Sequence, residues 1–334
     1  MTTQYDSIVL ISFGGPEGPD DVVPFLRNVT RGRNIPEERL VTVGAHYELF
    51  GGVSPINDQN RNLMAALAES LAASGVELPV YWGNRNWHPL LEDTARAMEQ
   101  AGHRRALGLV TSAFGSYSGC RQYSEDIERA TAELDLSIEK VRLYWNHPGF
   151  LDAMSDRLRS AMAEVVAPHS DVRIAFTAHS IPTAWATASP YVAQLEAAAR
   201  YLADRIAPGI GWELVFQSRS GNPRVPWLEP DICDHLVSLA DSGVNTAVIV
   251  PIGFVSDHME VVYDLDTEAA SVAEELGLTI VRAGTAGTHP SFVAGLRDLL
   301  LEAINDSEPS ALVGRPWNNP CHTECCARQG LTQP

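Results

Sequence analysis

The densest run of reactive side chains in this 334-residue chain is Ser256-Asp257-His258-Met259-Glu260, followed by Asp264 and Glu268. A helix beginning near residue 258 puts Glu260, Asp264 and Glu268 at i, i+4 and i+8, on one face. Like charges at that spacing repel, so a solvated face gains nothing from them. A row of carboxylates suits the passage of protons or of a hard divalent cation along a channel. The plainer alternative is an acidic surface helix in an already acidic chain.

A second candidate is His179, in Ala178-His179-Ser180-Ile181-Pro182. The Ser-Ile-Pro run stops the preceding strand and leaves the imidazole at the rim of a sheet. A neutral imidazole there can bind a transition metal or accept a proton near neutral pH; a histidine that only packs or caps is the alternative. Arg31 and Arg33 share a turn, with Arg27 one helical turn earlier, and guanidinium pairs of this kind hold carboxylates by bidentate hydrogen bonds. Glu37 and Glu38 would neutralise them if the turn is merely solvated. The stretch from Gln217 to Pro230, with Trp227 and several prolines, reads as an ordered rim loop.

These groups need a frame. Apolar runs at 7–12, 78–82, 106–111 and 141–145, then at 172–177, 213–217, 247–251 and 278–282, alternate with amphipathic stretches at 60–73, 123–134, 150–165, 192–206 and 260–275. Such alternation describes parallel sheets covered by helices on both faces. Two series of four strands imply two similar Rossmann-like lobes, 1–150 and 151–306, with a tail from 307 to 334. Ligands of such sheets bind beyond the carboxyl ends of the strands, where the glycine-rich and polar clusters fall. Phe13-Gly14-Gly15-Pro16 is not a dinucleotide fingerprint, because Pro16 breaks the spacing.

Forty-two acidic against twenty-four basic residues give a net charge of -18, which argues against nucleic acid and against an anionic membrane surface as partners. No segment approaches the roughly 20 apolar residues of a membrane span. The first residues lack a charged n-region and a cleavage site, so the expected location is the cytoplasm. Five cysteines, an odd number, argue against a secreted disulfide framework. Three of them, Cys321, Cys325 and Cys326, crowd into the tail and read as metal ligands.

Phe13-Gly14-Gly15-Pro16, Gly51-Gly52-Val53-Ser54-Pro55, Ala178-His179-Ser180-Ile181-Pro182, the 217–230 loop and Ser256-Asp257-His258-Met259-Glu260 together resemble the ferrochelatase family, in family order and across nearly the whole chain. The resemblance implies two Rossmann-like lobes with a porphyrin in the cleft between them. It implies an enzyme that inserts Fe(II), with release of two pyrrole protons. His179 matches the family's active-site histidine and Glu260 the facing carboxylate, with Asp264 and Glu268 as the acidic path. Phe13, Arg31, Arg33, Ser54 and Tyr123 match porphyrin-contacting positions. Some bacterial members carry a tyrosine at the position of Phe13, so metal contact here rests on His179 and Glu260. The apolar lip of eukaryotic members has no obvious counterpart.

The likeness is to the actinobacterial type, whose substrate is coproporphyrin III and whose product is coproheme. Protoporphyrin IX as substrate, a non-catalytic porphyrin or haem carrier on the same fold, and a cobalt or nickel chelatase are the rivals. A downstream haem-pathway enzyme is an expected partner. Cys321-His322-Thr323-Glu324-Cys325-Cys326 resembles the segment that binds a [2Fe-2S] cluster in those relatives. Such a cluster takes four thiolates, so the body must supply one; Cys120 is the first choice and Cys233 the second. Zinc on the three tail cysteines and His322 also closes at four ligands, and a disordered tail with free thiols is the remaining alternative.

Overall fold

The computed structural model describes residues 5–32, 35–220, 224–316 and 325–327. Its frame is two four-stranded parallel sheets. The first holds β1 (Ser7–Ser12), β2 (Val80–Asn84), β3 (Arg105–Val110) and β4 (Ser137–Lys140) in the order β2-β1-β3-β4. The second holds β5 (Val172–His179), β6 (Gly211–Gln217), β7 (Thr246–Val250) and β8 (Thr279–Arg282) in the order β6-β5-β7-β8. Both lobes therefore repeat one strand permutation. Every residue of β1 and of β7 is buried, which is why Ile8–Ile11 and Ala247–Val250 are continuously apolar rather than alternating.

Helices α1 (Pro19–Val29), α2 (Glu37–Glu48), α3 (Ile56–Ala73), α4 (Leu91–Gln100) and α5 (Gln122–Thr131) belong to the first half of the chain. The second half has α6 (Pro148–Glu164), α7 (Thr183–Thr187), α8 (Tyr191–Ile206), α9 (Ile232–Asp241), α10 (Met259–Tyr263), α11 (Ala270–Leu276) and α12 (Pro290–Asn305). Helix α12 packs on both α6 and α3, so the last helix crosses back to the first lobe. One apolar core joins the lobes: Leu10 and Leu107 on one side, Phe176 and Val250 on the other, with Phe114, Phe150 and Phe292 between them.

Two expectations change. The fourth strand is Ser137–Lys140, not 141–145. Val141, Leu143, Tyr144 and Trp145 are apolar because they are buried in the shared core, not because they pair in the sheet. The expected helix over 260–275 is three pieces: α10, a π-helical segment at Asp264–Ala269, and α11. Among the described residues, no helix is long and apolar enough to cross a membrane.

Candidate active site

His179 ends β5 and pairs in register with Gln217 at the end of β6, so both side chains emerge at the carboxyl edge of the second sheet. The chain leaving β7 folds back over this edge before α10 begins. Gly253 makes that possible: its N–H donates to the Thr177 carbonyl at 3.0 Å, and a Cβ on it would stand 2.6 Å from Ala178 Cβ and 2.7 Å from Ala178 Cα. His258 then caps α10, its Nδ1 accepting from the Glu260 N–H at 3.2 Å. This cap aims Glu260 at His179, with Nε2 and Oε1 3.2 Å apart.

The other ring nitrogen decides the protonation. His179 Nδ1 faces the Ser180 carbonyl, which only accepts, so Nδ1 carries a hydrogen. Nε2 therefore either bears the second proton and pairs with Glu260 or presents a lone pair. Burial works against the charged ring, but the Glu260 carboxylate overrides it and raises His179 to about 9. Burial likewise disfavours the Glu260 anion, and the imidazolium outweighs it, bringing Glu260 to about 2. His258 is shifted the other way, chiefly by burial. The His179 main chain is held by the Tyr191 hydroxyl, which donates to its carbonyl at 3.0 Å.

The carboxylate row leads outward from this pair. Gln217 Nε2 donates to the Glu260 carbonyl and, at 3.5 Å, to Asp264, and the Ser218 hydroxyl also donates to Asp264. Burial raises Asp264 to about 7 against the Ser218 bond, with Glu260 and Glu268 adding to the rise. In an unbroken α-helix Glu268 would have rotated by about 80° relative to Glu260. The wider π turn at 264–269 brings it back toward the same face, and Glu268 is exposed where Asp264 is half-buried.

The first lobe closes the other side. His46 of α2 stacks on Tyr263 with ring centroids 3.9 Å apart. Burial raises the Tyr47 phenol, and the charges of Glu260 and Asp264 raise it further. Tyr123 is 4% exposed, lies 3.7 Å beneath the Arg85 guanidinium, and feels the Glu260 charge. Phe13 packs edge-on against Phe25. Ser54 is buried with its N–H on the Pro16 carbonyl. Arg31 is exposed and donates to Asn28; Arg33 lies outside the described residues.

Sequence reasoning brings His179, Glu260, Asp264 and Glu268 together correctly in space but misses Tyr47, Tyr191, Gln217 and Ser218 as partners of that group. Gln217 and Ser218 stand directly at a strand end, which was the available signal. Tyr47 carries none, because only the fold lays α2 across the row.

Cys120 sits in a π turn at Tyr117–Arg121, is 5% exposed, and has Lys140 Nζ 3.0 Å from its sulfur. Cys233 is different: burial, with Asp231 and Glu268 nearby, pushes its thiol up to about 12. The Cys325 and Cys326 sulfurs are 3.7 Å apart. Cys321 and His322 lie outside the described residues, and among those described no group of three His, Cys, Asp or Glu side chains is gathered as a metal site.

A family model described as Ferrochelatase matches residues 5–304. The chain is 53% identical to the coproporphyrin III ferrochelatase of Streptomyces coelicolor, with 96% of this chain and 93% of that protein covered. It is 48% identical to the protein of the same name from Leifsonia xyli, covering 96% and 91%, and 48% identical to a ferrochelatase of Rhodopirellula baltica, covering 96% and 93%. Among solved structures, SirB from Bacillus subtilis with Fe3+ has a TM-score of 0.54 at 12% identity, over 90% of this chain and 96% of that one, a likeness of fold alone.

Proposed function

We propose that this chain, which belongs to the ferrochelatase family, inserts Fe(II) into coproporphyrin III to give coproheme with release of two pyrrole protons. The observation that carries the reading is the His179–Glu260 pair, 3.2 Å apart at the carboxyl edge of the second sheet and faced by α2 and α5 of the first lobe. The choice of porphyrin is supported by the names of relatives at 48–53% identity.

Insertion exchanges two N–H bonds of a flat, apolar ligand for bonds to a dication. The iron, as substrate, meets His179 Nε2 and Glu260 from the protein and the pyrrole nitrogens from the ring. Because Nδ1–H is committed to Ser180, Nε2 can hold metal or proton but not both. Pyrrole protons then pass to the His179–Glu260 pair and on to Asp264, whose position near 7 lets it take and release a proton at neutral pH. Glu268 delivers it to solvent. Phe13 walls the macrocycle, and Arg31, Arg33, Ser54 and Tyr123 meet its carboxylates, offsetting the chain's negative field.

Cys120, Cys321, Cys325 and Cys326 would hold a [2Fe-2S] cluster. Lys140 Nζ, 3.0 Å from the Cys120 sulfur, would offset the negative charge of a cluster bound there. Thiolates about 2.3 Å from one tetrahedral metal stand at a separation like that of the Cys325 and Cys326 sulfurs. Insertion needs no electron transfer, so the cluster would tie the tail to the body. A cytoplasmic location, the lobe boundaries at 150 and 306, and a haem-pathway partner belong to the same reading.

The test is anaerobic mixing with coproporphyrin III and Fe(II), followed by absorption. Collapse of the free-base bands to those of a metalloporphyrin is expected. Tight binding with unchanged bands would leave a porphyrin carrier instead.

A further inference from the structure

Two successive residues where the chain leaves β6 are each held in an unfavourable state. Gln217 is 1% exposed, and its Oε1 is buried without a hydrogen-bond partner. Ser218 has a φ of 62°, in the left-handed region that L-residues other than asparagine and aspartate rarely enter. A buried orphan acceptor and a left-handed serine both cost stability. Such features persist where other contacts hold them in place, and here both side chains end on the same atom.

Gln217 Nε2 donates to the Glu260 carbonyl and, at 3.5 Å, to Asp264 Oδ2. Turning the amide over would set its oxygen against these two acceptors, so the orphaned Oε1 follows from what Nε2 does. The left-handed serine presents its hydroxyl to that same Oδ2. No other donor among the described residues reaches Asp264, which leaves its Oδ1 open. The main chain here also serves His179. The Gln217 carbonyl accepts from the Ser180 N–H at 2.8 Å, and the Ser180 carbonyl takes the His179 Nδ1 hydrogen. One dipeptide thus ties the strand end of His179, the first turn of α10 and Asp264 together.

Charge supplies the need for such a clamp. Glu260 and Glu268 both act on Asp264 as like charges. A carboxylate that is only half-buried can relieve that repulsion by rotating toward water. Two donors on one oxygen oppose the rotation and leave the second oxygen unengaged. We propose that Gln217 and Ser218 are positioning residues for proton removal, fixing Asp264 through Oδ2 so that Oδ1 receives the proton that leaves the His179–Glu260 pair. This role rests on the insertion chemistry proposed above.

The experiment compares the full chain with Gln217→Met, Ser218→Gly and Ser218→Thr in anaerobic coproporphyrin metallation, reading kcat, porphyrin KM and the solvent deuterium isotope effect, and in thermal unfolding. Methionine keeps the length of the side chain without the donor or the orphan oxygen. Glycine accepts the left-handed backbone but lacks the hydroxyl, whereas threonine keeps the hydroxyl and adds the strain of a branched Cβ. In Gln217→Met and Ser218→Gly, kcat should fall about tenfold or more with a larger isotope effect, while porphyrin KM stays within about twofold. Ser218→Gly should melt no lower than wild type. Ser218→Thr should melt lower yet keep kcat within about twofold, so that activity follows the hydroxyl and stability follows the strain. A merely structural role predicts kcat falling in step with melting temperature. That pattern, or wild-type kcat in both Gln217→Met and Ser218→Gly, overturns the clamp and leaves the insertion reading intact. A wild type that binds porphyrin without metallating it overturns the insertion reading, and the clamp with it.

Discussion

Asp264→Asn is expected to make the protein more stable and less active, and the pH dependence of the gain identifies its cause. Burial, with the Glu260 and Glu268 charges adding to it against the Ser218 hydrogen bond, raises Asp264 to about 7 from 3.8. A carboxyl whose folded value is raised binds its proton more tightly in the folded state. Its contribution is therefore full below about 3.8 and is lost as pH rises through 7. Moving a carboxyl that far corresponds to about 4 kcal/mol against the charged form, and water in an open cleft screens this to about 2 kcal/mol. Asparagine keeps the acceptor for Ser218 and Gln217 but never charges. Its advantage over wild type should be near zero at pH 4, grow between pH 4 and 7, and stay flat to pH 9. At about 2–4 °C per kcal/mol for domains of 150–250 residues, the plateau is about 4–8 °C in melting temperature. The assay is thermal unfolding of both proteins across that range, alongside initial rates of coproporphyrin metallation. A melting difference independent of pH, or an advantage largest at pH 4, would refute the assignment of the strain to the ionised carboxylate.

His179→Ala should lower the rate of iron insertion by at least about 100-fold while porphyrin affinity, read by fluorescence quenching, changes only severalfold; retained turnover would remove the imidazole from the chemistry. Gly253→Ala places a methyl 2.6 Å from Ala178 Cβ, so the segment carrying His258 and Glu260 must shift. A loss of about 1–3 kcal/mol in denaturant unfolding is expected, with a fall in kcat, and wild-type values for both would show that the approach to β5 is loose. Cys120→Ser should abolish the visible absorption of anaerobically purified protein. A colourless wild type with stoichiometric zinc, or a coloured serine variant, would count against Cys120 as a cluster ligand.

Much of the architecture was legible because it is written locally. The central strands β1, β5 and β7 carry continuous apolar runs at their middles, Ile8–Ile11, Ile174–Phe176 and Ala247–Val250, and amphipathic helices with their own periodicity lie between them, so the sheet class follows from patterning alone. The four candidate positions were legible for a similar reason: His179 stands where a strand must stop, and Glu260, Asp264 and Glu268 recur at helical spacing. Patterning failed where burial came from elsewhere. Val141–Trp145 has the composition of a strand because the two lobes share a core there, and no window of sequence distinguishes that burial from a sheet's.

By itself, then, the sequence determined which residues stand at the strand ends and in what order. Tertiary structure decided their state. The His179 tautomer depends on the Ser180 carbonyl, the His179–Glu260 ion pair on a segment that crosses β5 at Gly253, and the near-neutral Asp264 on burial between β6 and α10. The π turn that realigns Glu268 and the placement of α2 against the acidic row are likewise absent from local spacing. Protonation and close approach depend on groups distant in the chain, and only the folded packing brings those groups within reach.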